Sequence, residues 1–313
     1  MSSSTQHNIA GFWRRFFAFL IDGILVGALC WIISSVLGNF LFKFPILSIF
    51  IGYLIVVSYF GLLNSHLHHG QTFAKQLLHL QVTQINGQYL TISSSMLRAA
   101  ILFAPPCLMS LNSYISITAL GWVCATLLAT LQCLIVYFYI FNRRNRRSVH
   151  DFVAKSIVIY KNHHAATVIP KMWNKHLFFA GAIALLGVIY SIVMFMGIGD
   201  LNQKRNHQLT QMQPEIIAIK EIADPDAQFS LRMFEIQVNN PNTLNNPFFA
   251  QQFVEHLENI RPDSLGENAK VIIVLISKFQ FGLASKANFN MYSVETNDAG
   301  QNIAVEQISS LDF

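Results

Sequence analysis

Acidic side chains are nearly absent from the first 199 residues: Asp22 and Asp151 stand alone against thirteen lysines and arginines. Charge of either sign is scarce throughout, at 12% of 313 residues, where a soluble domain carries about a quarter. Cysteine is scarce as well. Cys30, Cys107, Cys124 and Cys133 all sit in apolar runs and none follows residue 199, so no disulfide framework organises the chain. The sequence has no glycine-rich phosphate loop, no adjacent nucleophile and base, and no internal repeat of the kind that builds many transporters. His66, His68, His69 and His79 crowd one segment, and His66 with His69 has a ligand-like spacing. No carboxylate or thiolate lies near them, so metal binding is not expected. These absences point away from an enzyme: no catalytic residue, cofactor or metal is expected.

Apolar residues fill the space that charge leaves, at 53% of the chain and a mean hydropathy of +0.41. Crossing a bilayer takes about 20 apolar residues. Residues 16–37 and 45–63 each supply such a run, the second opening on Pro45, where a helix tolerates proline. Residues 96–141 are too long for one crossing and suit two, with Pro105-Pro106 expected to kink the first. That third span is the weakest and could instead be a re-entrant hairpin. A fifth run covers residues 177–199. The start, Arg14-Arg15 before an apolar stretch, is similar to a twin-arginine signal, but the run is long, contains Asp22 and lacks a small-residue cleavage site, so an uncleaved span is expected.

Charge divides the chain. Residues 1–199 carry thirteen basic and two acidic groups, a net +11, whereas residues 200–313 carry eight basic and fourteen acidic, a net −6. The basic residues flank apolar spans, so the pI of 9.0 is no nucleic-acid signature. Residues 142–176 hold eight lysines and arginines against Asp151 alone, and the positive-inside rule places that loop, the N terminus and the 64–97 loop in the cytoplasm. The C-terminal part then falls outside the inner membrane. Arg143, Arg144, Arg146 and Arg147 suit anionic headgroups or serve as a topology anchor.

Three extramembrane segments have internal order. Asn86-Gly87 between alternating runs predicts a cytoplasmic β-hairpin over about residues 79–92. Ser148, with Asp151 three residues on, resembles a helix start; residues 149–160 read as an interfacial helix, although residues 157–160 fit a strand equally well. Beyond residue 200 the pattern becomes that of a soluble α+β domain, with strands over 229–238, 270–281, 288–295 and 303–308, a helix over 247–260 and turn chemistry at Asp298-Ala299-Gly300. A juxtamembrane stretch over residues 200–213 precedes it. The chain therefore divides into a four-span part (1–165), a basic linker with the fifth span (166–199) and an extracytoplasmic domain (200–313). Its fold class is an α-helical multi-pass membrane protein carrying a C-terminal α+β extramembrane domain.

Asp22 is the one carboxylate expected within hydrocarbon, where an unpartnered charge costs several kcal/mol. Arg15 lies two helical turns away on the same face, about 10.5 Å along the axis, and Arg98 opens the third span at the same level. A cluster of Arg14 or Arg15 with Asp22 and Arg98 follows. It is read either as a structural ion pair or as a proton or cation site. Asp151 reads as a helix-start residue that could dock near the same arginines.

These pieces together resemble the RDD family of bacterial membrane proteins, named for an arginine and two aspartates. The matching segments are Gly11-Phe12-Trp13-Arg14-Arg15 through Ile21-Asp22, then Gly70-Gln71-Thr72-Phe73-Ala74-Lys75, then Arg147-Ser148-Val149-His150-Asp151, over about residues 9–160. Ala74 stands where the family pattern leads one to expect glycine. The resemblance puts the motif arginine on Arg14 or Arg15, with Arg15 preferred, and the aspartates on Asp22 and Asp151. It implies a transport-related role, with exchange of protons for monovalent cations suggested and Asp22 as the titratable group. A path through so small a domain would call for a homo-oligomer. The other expectation is a non-transporting anchor, scaffold or sensor that presents residues 200–313.

Overall fold

The computed structural model describes residues 9–115, 119–161, 170–196, 208–222, 231–260, 270–296 and 302–308. Among the described residues, five helices are long and apolar enough to cross a membrane: α1 (Phe12–Val36), α3 (Pro45–Leu63), α5 (Ile92–Leu108), α7 (Ala119–Phe141) and α9 (Lys175–Met196). Short helices α2 (Gly38–Lys43) and α6 (Asn112–Ile115) join them at one end. The third span is a helix: Thr91 caps α5 by accepting from the Ser94 amide at 3.3 Å. Pro105 and Pro106 fall in its last turn, before a 3-10 turn at Met109–Leu111. Helix α1 buries one stripe, Arg15, Ala18, Asp22, Val26, Cys30 and Ser34, each three or four residues from the next. Its other faces expose large apolar side chains such as Leu25 and Trp31, which suits a lipid surround.

A small cap closes the end where α1, α5 and α9 begin. It comprises α4 (Phe73–Leu77), β1 (Leu80–Gln84), α8 (Val149–Val153) and β2 (Ser156–Tyr160). The Asn86-Gly87 turn forms, with Gly87 at φ +85° and its amide on the Gln84 carbonyl. The second arm of the expected hairpin is not a strand, however. β1 pairs antiparallel with β2 instead, Val82 opposite Val158, across more than seventy residues of sequence. The alternatives for residues 149–160 resolve as one helical turn followed by a strand. Leu80, Val82, Leu90 and Val158 form the core of the cap with Ala74 and Ala154.

At the opposite end of the helices lies the C-terminal region: a helix over 208–212 (α10), β3 (Ile216–Ile222), β4 (Leu231–Val238), α11 (Pro247–Ile260), β5 (Lys270–Phe281), β6 (Ala284–Thr296) and β7 (Asn302–Ile308). The sheet order is β3-β4-β5-β6-β7, antiparallel except for β4 and β5, whose parallel pairing is bridged by α11. Phe249, Phe253, Val254 and Leu257 recur at helical spacing and pack on Phe234, Ile236, Ile273 and Leu275 of the sheet. The expected turn at Asp298-Ala299-Gly300 and residues 200–207 of the juxtamembrane stretch lie outside the described residues.

This region is joined to the helices by packing as well as by the chain. Strands β5 and β6 meet in a two-residue turn, Gly282-Leu283, with Gly282 at φ +60°, as a type II′ turn requires. Phe279, Phe281 and Ala284 enter the same core as Val26, Cys30, Phe42, Val56 and Phe103 of the helices. The Phe279 ring meets Phe42 edge-on at 4.6 Å. The Gln280 amide donates to the Pro106 carbonyl at 2.8 Å, a group near the helix C-terminus with no intrahelical partner to accept from. Taking Phe279 and Phe281 out of water stabilises this docking by about 1.5–3 kcal/mol each. Gly52, the close neighbour of the turn, lies seven residues inside α3, so the hairpin reaches about 10 Å below the helix end.

Candidate functional site at the charged end of the helices

Asp22 and Asp151 are both fully buried, and each is held differently. The arginine partner expected for Asp22 belongs to Asp151 instead. Arg15 reaches Asp151 Oδ2 at 3.1 Å, and Arg98 donates from Nε to Oδ1 at 2.9 Å, with its Nη2 also 2.9 Å away. The Ser156 hydroxyl adds a donor at 3.0 Å and the Ser148 amide another at 3.3 Å, the latter half of the capping pattern read from sequence. Burial alone would raise this carboxyl, but Arg98, His150 and Arg15 beside it bring it well below the usual range. A buried charge costs several kcal/mol unless its geometry is complete, and here four groups complete it.

Asp22 takes neutral donors. Tyr59 Oη donates to Oδ1 at 3.0 Å, the Ala74 amide donates to the same oxygen at 3.1 Å, and the Thr72 hydroxyl donates to Oδ2. Thr72 is also the N-cap of α4, accepting from the Lys75 amide. Asp22 therefore ties α1 and α3 to the start of α4. The segment before that helix is shaped by Gly70, at φ +70°, where a Cβ would lie 2.2 Å from the Val82 carbonyl oxygen. Ala74, in contrast, is helical and almost fully buried, so the position expected to be glycine imposes no conformation that alanine cannot adopt.

Lys75 extends from α4 into the same region, and its Nζ donates to Asn64 Oδ1. Loss of solvent pushes its pKa down to about 7. Arg98 and Arg15 act in the same direction, while Asp22 and Asp151 oppose them. His150, 3% exposed, is pushed down to about 3, first by burial and then by Arg98, Arg15 and Lys75 against Asp151. It is neutral at pH 7.

The remaining arginines divide. Arg14 is exposed, its guanidinium 5.3 Å from the centre of the Tyr160 ring. It contributes nothing to the buried cluster, and the side chain brought to Asp151 is Arg15. Of the four arginines expected at headgroups, Arg143 and Arg144 are exposed. Arg146 donates to the Ile9 carbonyl at 3.2 Å, and Arg147 donates to the carbonyls of Ser156 at 3.0 Å and Asp151 at 2.9 Å. Both are engaged in holding the cap together.

Above this cluster, between α1, α5 and α7, lies a cavity of about 450 Å³. Apolar walls such as Phe16, Leu102 and Ile135 lead down to Arg15, Arg98, Lys75 and His150. Sequence reasoning marked both aspartates, Arg15 and Arg98, but missed Tyr59, Thr72, Lys75, Tyr139 and His150 as members of one site. The segments 70–75 and 147–151 were the available signal for three of these.

No curated protein and no solved structure matches the chain. The family comparison does find a match, over residues 9–155, which covers α1, α3, α5, α7, the cap elements up to α8 and the clamp of Arg15 and Arg98 on Asp151, and stops just before β2. That stretch is an RDD family domain, and residues 156–313 lie beyond it.

Proposed function

We propose that the RDD domain of this multi-pass membrane protein serves as a platform that fixes the C-terminal region at one face of the membrane. The supporting observation is the seating of the Gly282-Leu283 turn inside the helix core, which locks the five-stranded sheet to α1, α3 and α5. Asp22 and Asp151 fit this reading, because each is enclosed and takes three or more donors that hold elements together. The excess of basic residues in loops at the cap end supports placing the cap in the cytoplasm and the C-terminal region outside the inner membrane. The reading includes no catalytic step.

One observation favours transport as a second reading: Asp22 and Lys75 both line the 450 Å³ cavity. Proton-coupled cation exchange would use that cavity as an entrance, with a second copy of the chain completing the path. Reconstituted wild type and Asp22→Asn separate the two readings. The platform reading expects no change in internal pH when Na⁺, K⁺ or Li⁺ is added to proteoliposomes. A cation-dependent proton flux that Asp22→Asn abolishes would replace it with transport. Protease added to intact spheroplasts should trim residues 200–313; their protection would reverse the orientation.

A further inference from the structure

The cavity between α1, α5 and α7 has features that neither reading requires. Its walls include Phe16, Phe19, Val136 and Ile140, each between 37% and 44% exposed, so it opens sideways towards the lipid that surrounds the helices. Its floor is cationic and lies close to the helix ends: Arg15 is three residues into α1 and Arg98 six into α5. That is about 5–9 Å from each end, the level of lipid headgroups. Arg15, Arg98 and Lys75 face two carboxyl groups, Asp22 and Asp151, whose oxygens are already filled by protein donors.

Two polar atoms that line the cavity have no hydrogen-bond partner among the described residues: His150 Nδ1, on a residue 3% exposed, and Tyr139 Oη. A buried hydroxyl or ring nitrogen left unpaired costs about 1–3 kcal/mol, and one cavity here is lined by two such groups. With the neutral His150 turning Nε2–H towards Asp151 Oδ2, 3.5 Å away, Nδ1 is left as an acceptor that seeks a hydroxyl. Tyr139 Oη is a donor that, with Lys75 and Arg98, suits an anionic oxygen.

We infer that this cavity holds one acidic glycerophospholipid of the adjacent leaflet, with its phosphate towards Arg98, Lys75 and Tyr139, a headgroup hydroxyl towards His150, and one acyl chain between α1, α5 and α7. The charge of the floor selects an anionic head, the orphaned acceptor selects one that bears a hydroxyl, and the lateral opening admits a molecule that arrives from the bilayer. A volume of 450 Å³ takes a single chain with part of a head; the second chain stays in the surrounding lipid.

The test uses the full chain, purified and delipidated in neutral detergent, with phosphatidylglycerol, phosphatidylcholine and inorganic phosphate as probes. Native mass spectrometry should retain one phosphatidylglycerol per chain, and that lipid should raise the melting temperature where the other two do not. Tyr139→Phe removes a hydroxyl that has no hydrogen-bond partner among the described residues, so the fold should persist while apparent affinity falls roughly five- to tenfold. Val136→Trp, placed on the exposed wall, should block the opening and abolish retention. Equal stabilisation by phosphatidylcholine would reduce the effect to bulk lipid and overturn the proposal. So would reproduction of it by phosphate alone, or undiminished binding by Val136→Trp.

Discussion

A Cβ on Gly52 of α3 would stand 1.9 Å from the backbone nitrogen of Gly282 in the β5–β6 turn, and one on Gly282 would stand 2.8 Å from Cys30 Sγ. Helix and turn thus touch backbone to backbone, with no side chain between them. The contact requires glycine on both sides for different reasons. Gly52 needs the space, whereas Gly282 also needs its positive φ. Replacing Gly52 with alanine should therefore unseat the hairpin, at about 1–3 kcal/mol. Amide exchange over residues 279–283 should rise sharply while exchange in α11 stays unchanged. Gly27→Ala is the matched control, because a Cβ there meets nothing within 4 Å. Unaltered exchange in Gly52→Ala would show that the turn is not held by this contact.

The clamp on Asp151 gives a prediction with a compensating variant. Asp151→Asn leaves Arg15 and Arg98 buried together without their counter-charge, and removing one partner of a buried ion pair costs about 3–5 kcal/mol. The melting temperature in micelles should fall accordingly. Replacing all three residues with apolar side chains of similar volume should recover much of the loss, since no charge then remains to be buried. If the triple variant melts no higher than Asp151→Asn, the clamp contributes something other than charge balance.

How much of this was legible beforehand depends on whether the decisive interaction is local. The five spans follow from apolar length alone, and β4, α11, β5, β6 and β7 from alternation and helical spacing. Strand β3 was missed because a register shift between Ile216 and Ala218 breaks the alternation that identifies a strand. The Asn86-Gly87 turn was correctly located, yet β1 found its partner in Ser156–Tyr160, a choice made by tertiary packing that turn chemistry does not encode. The same holds for Asp22. Opposite-charge reasoning sought an arginine, but a carboxyl can be satisfied by Tyr59, Thr72 and a backbone amide, which leave no charge pattern in the sequence.

His150 makes stability depend on acid. Its pKa is about 3 in the folded chain and near 6.5 when unfolded, so between those values the unfolded state binds the extra proton. Stability therefore rises with pH across that window and is lost on acidification from about pH 6.5 towards 3. Asp151, also lowered on folding, acts in the same direction below its unfolded value near 3.8. The melting temperature of the wild type should fall steadily from pH 6.5 to 4. His150→Asn should flatten that slope; an identical slope would mean that the ring is not held neutral.

Lys75 governs the alkaline side. Its folded pKa of about 7 lies below the unfolded 10.5, so between these values the unfolded chain again binds the extra proton and stability rises with pH. Arg98, Arg15, Asp22 and Asp151 all face this ammonium, so the variant must not disturb them. Lys75→Met keeps the stem and removes the charge. It should be more stable than the wild type at pH 6, with the difference shrinking as pH approaches 10. A difference that does not vary with pH would place the Lys75 pKa near its ordinary value.

Thr72 and Asp22 form the last pair to test, because Thr72 both donates to the Asp22 carboxyl and caps α4 through the Lys75 amide. Thr72→Val removes both bonds and should cost about 1–3 kcal/mol, the penalty of leaving buried polar groups unpaired. Thr72→Ser preserves the hydroxyl and should cost far less. Asp22→Asn keeps shape and one acceptor oxygen but turns an amide donor towards donors. If the role of the pair is to fasten α4 to α1, the losses in Thr72→Val and Asp22→Asn should overlap, with a coupling of about 0.5–3 kcal/mol in the double-mutant cycle. Amide exchange over residues 73–77 should increase by a similar amount in either single variant. Additive losses, with exchange in α4 unaffected by Asp22→Asn, would release Asp22 from its structural role and return weight to the transport reading.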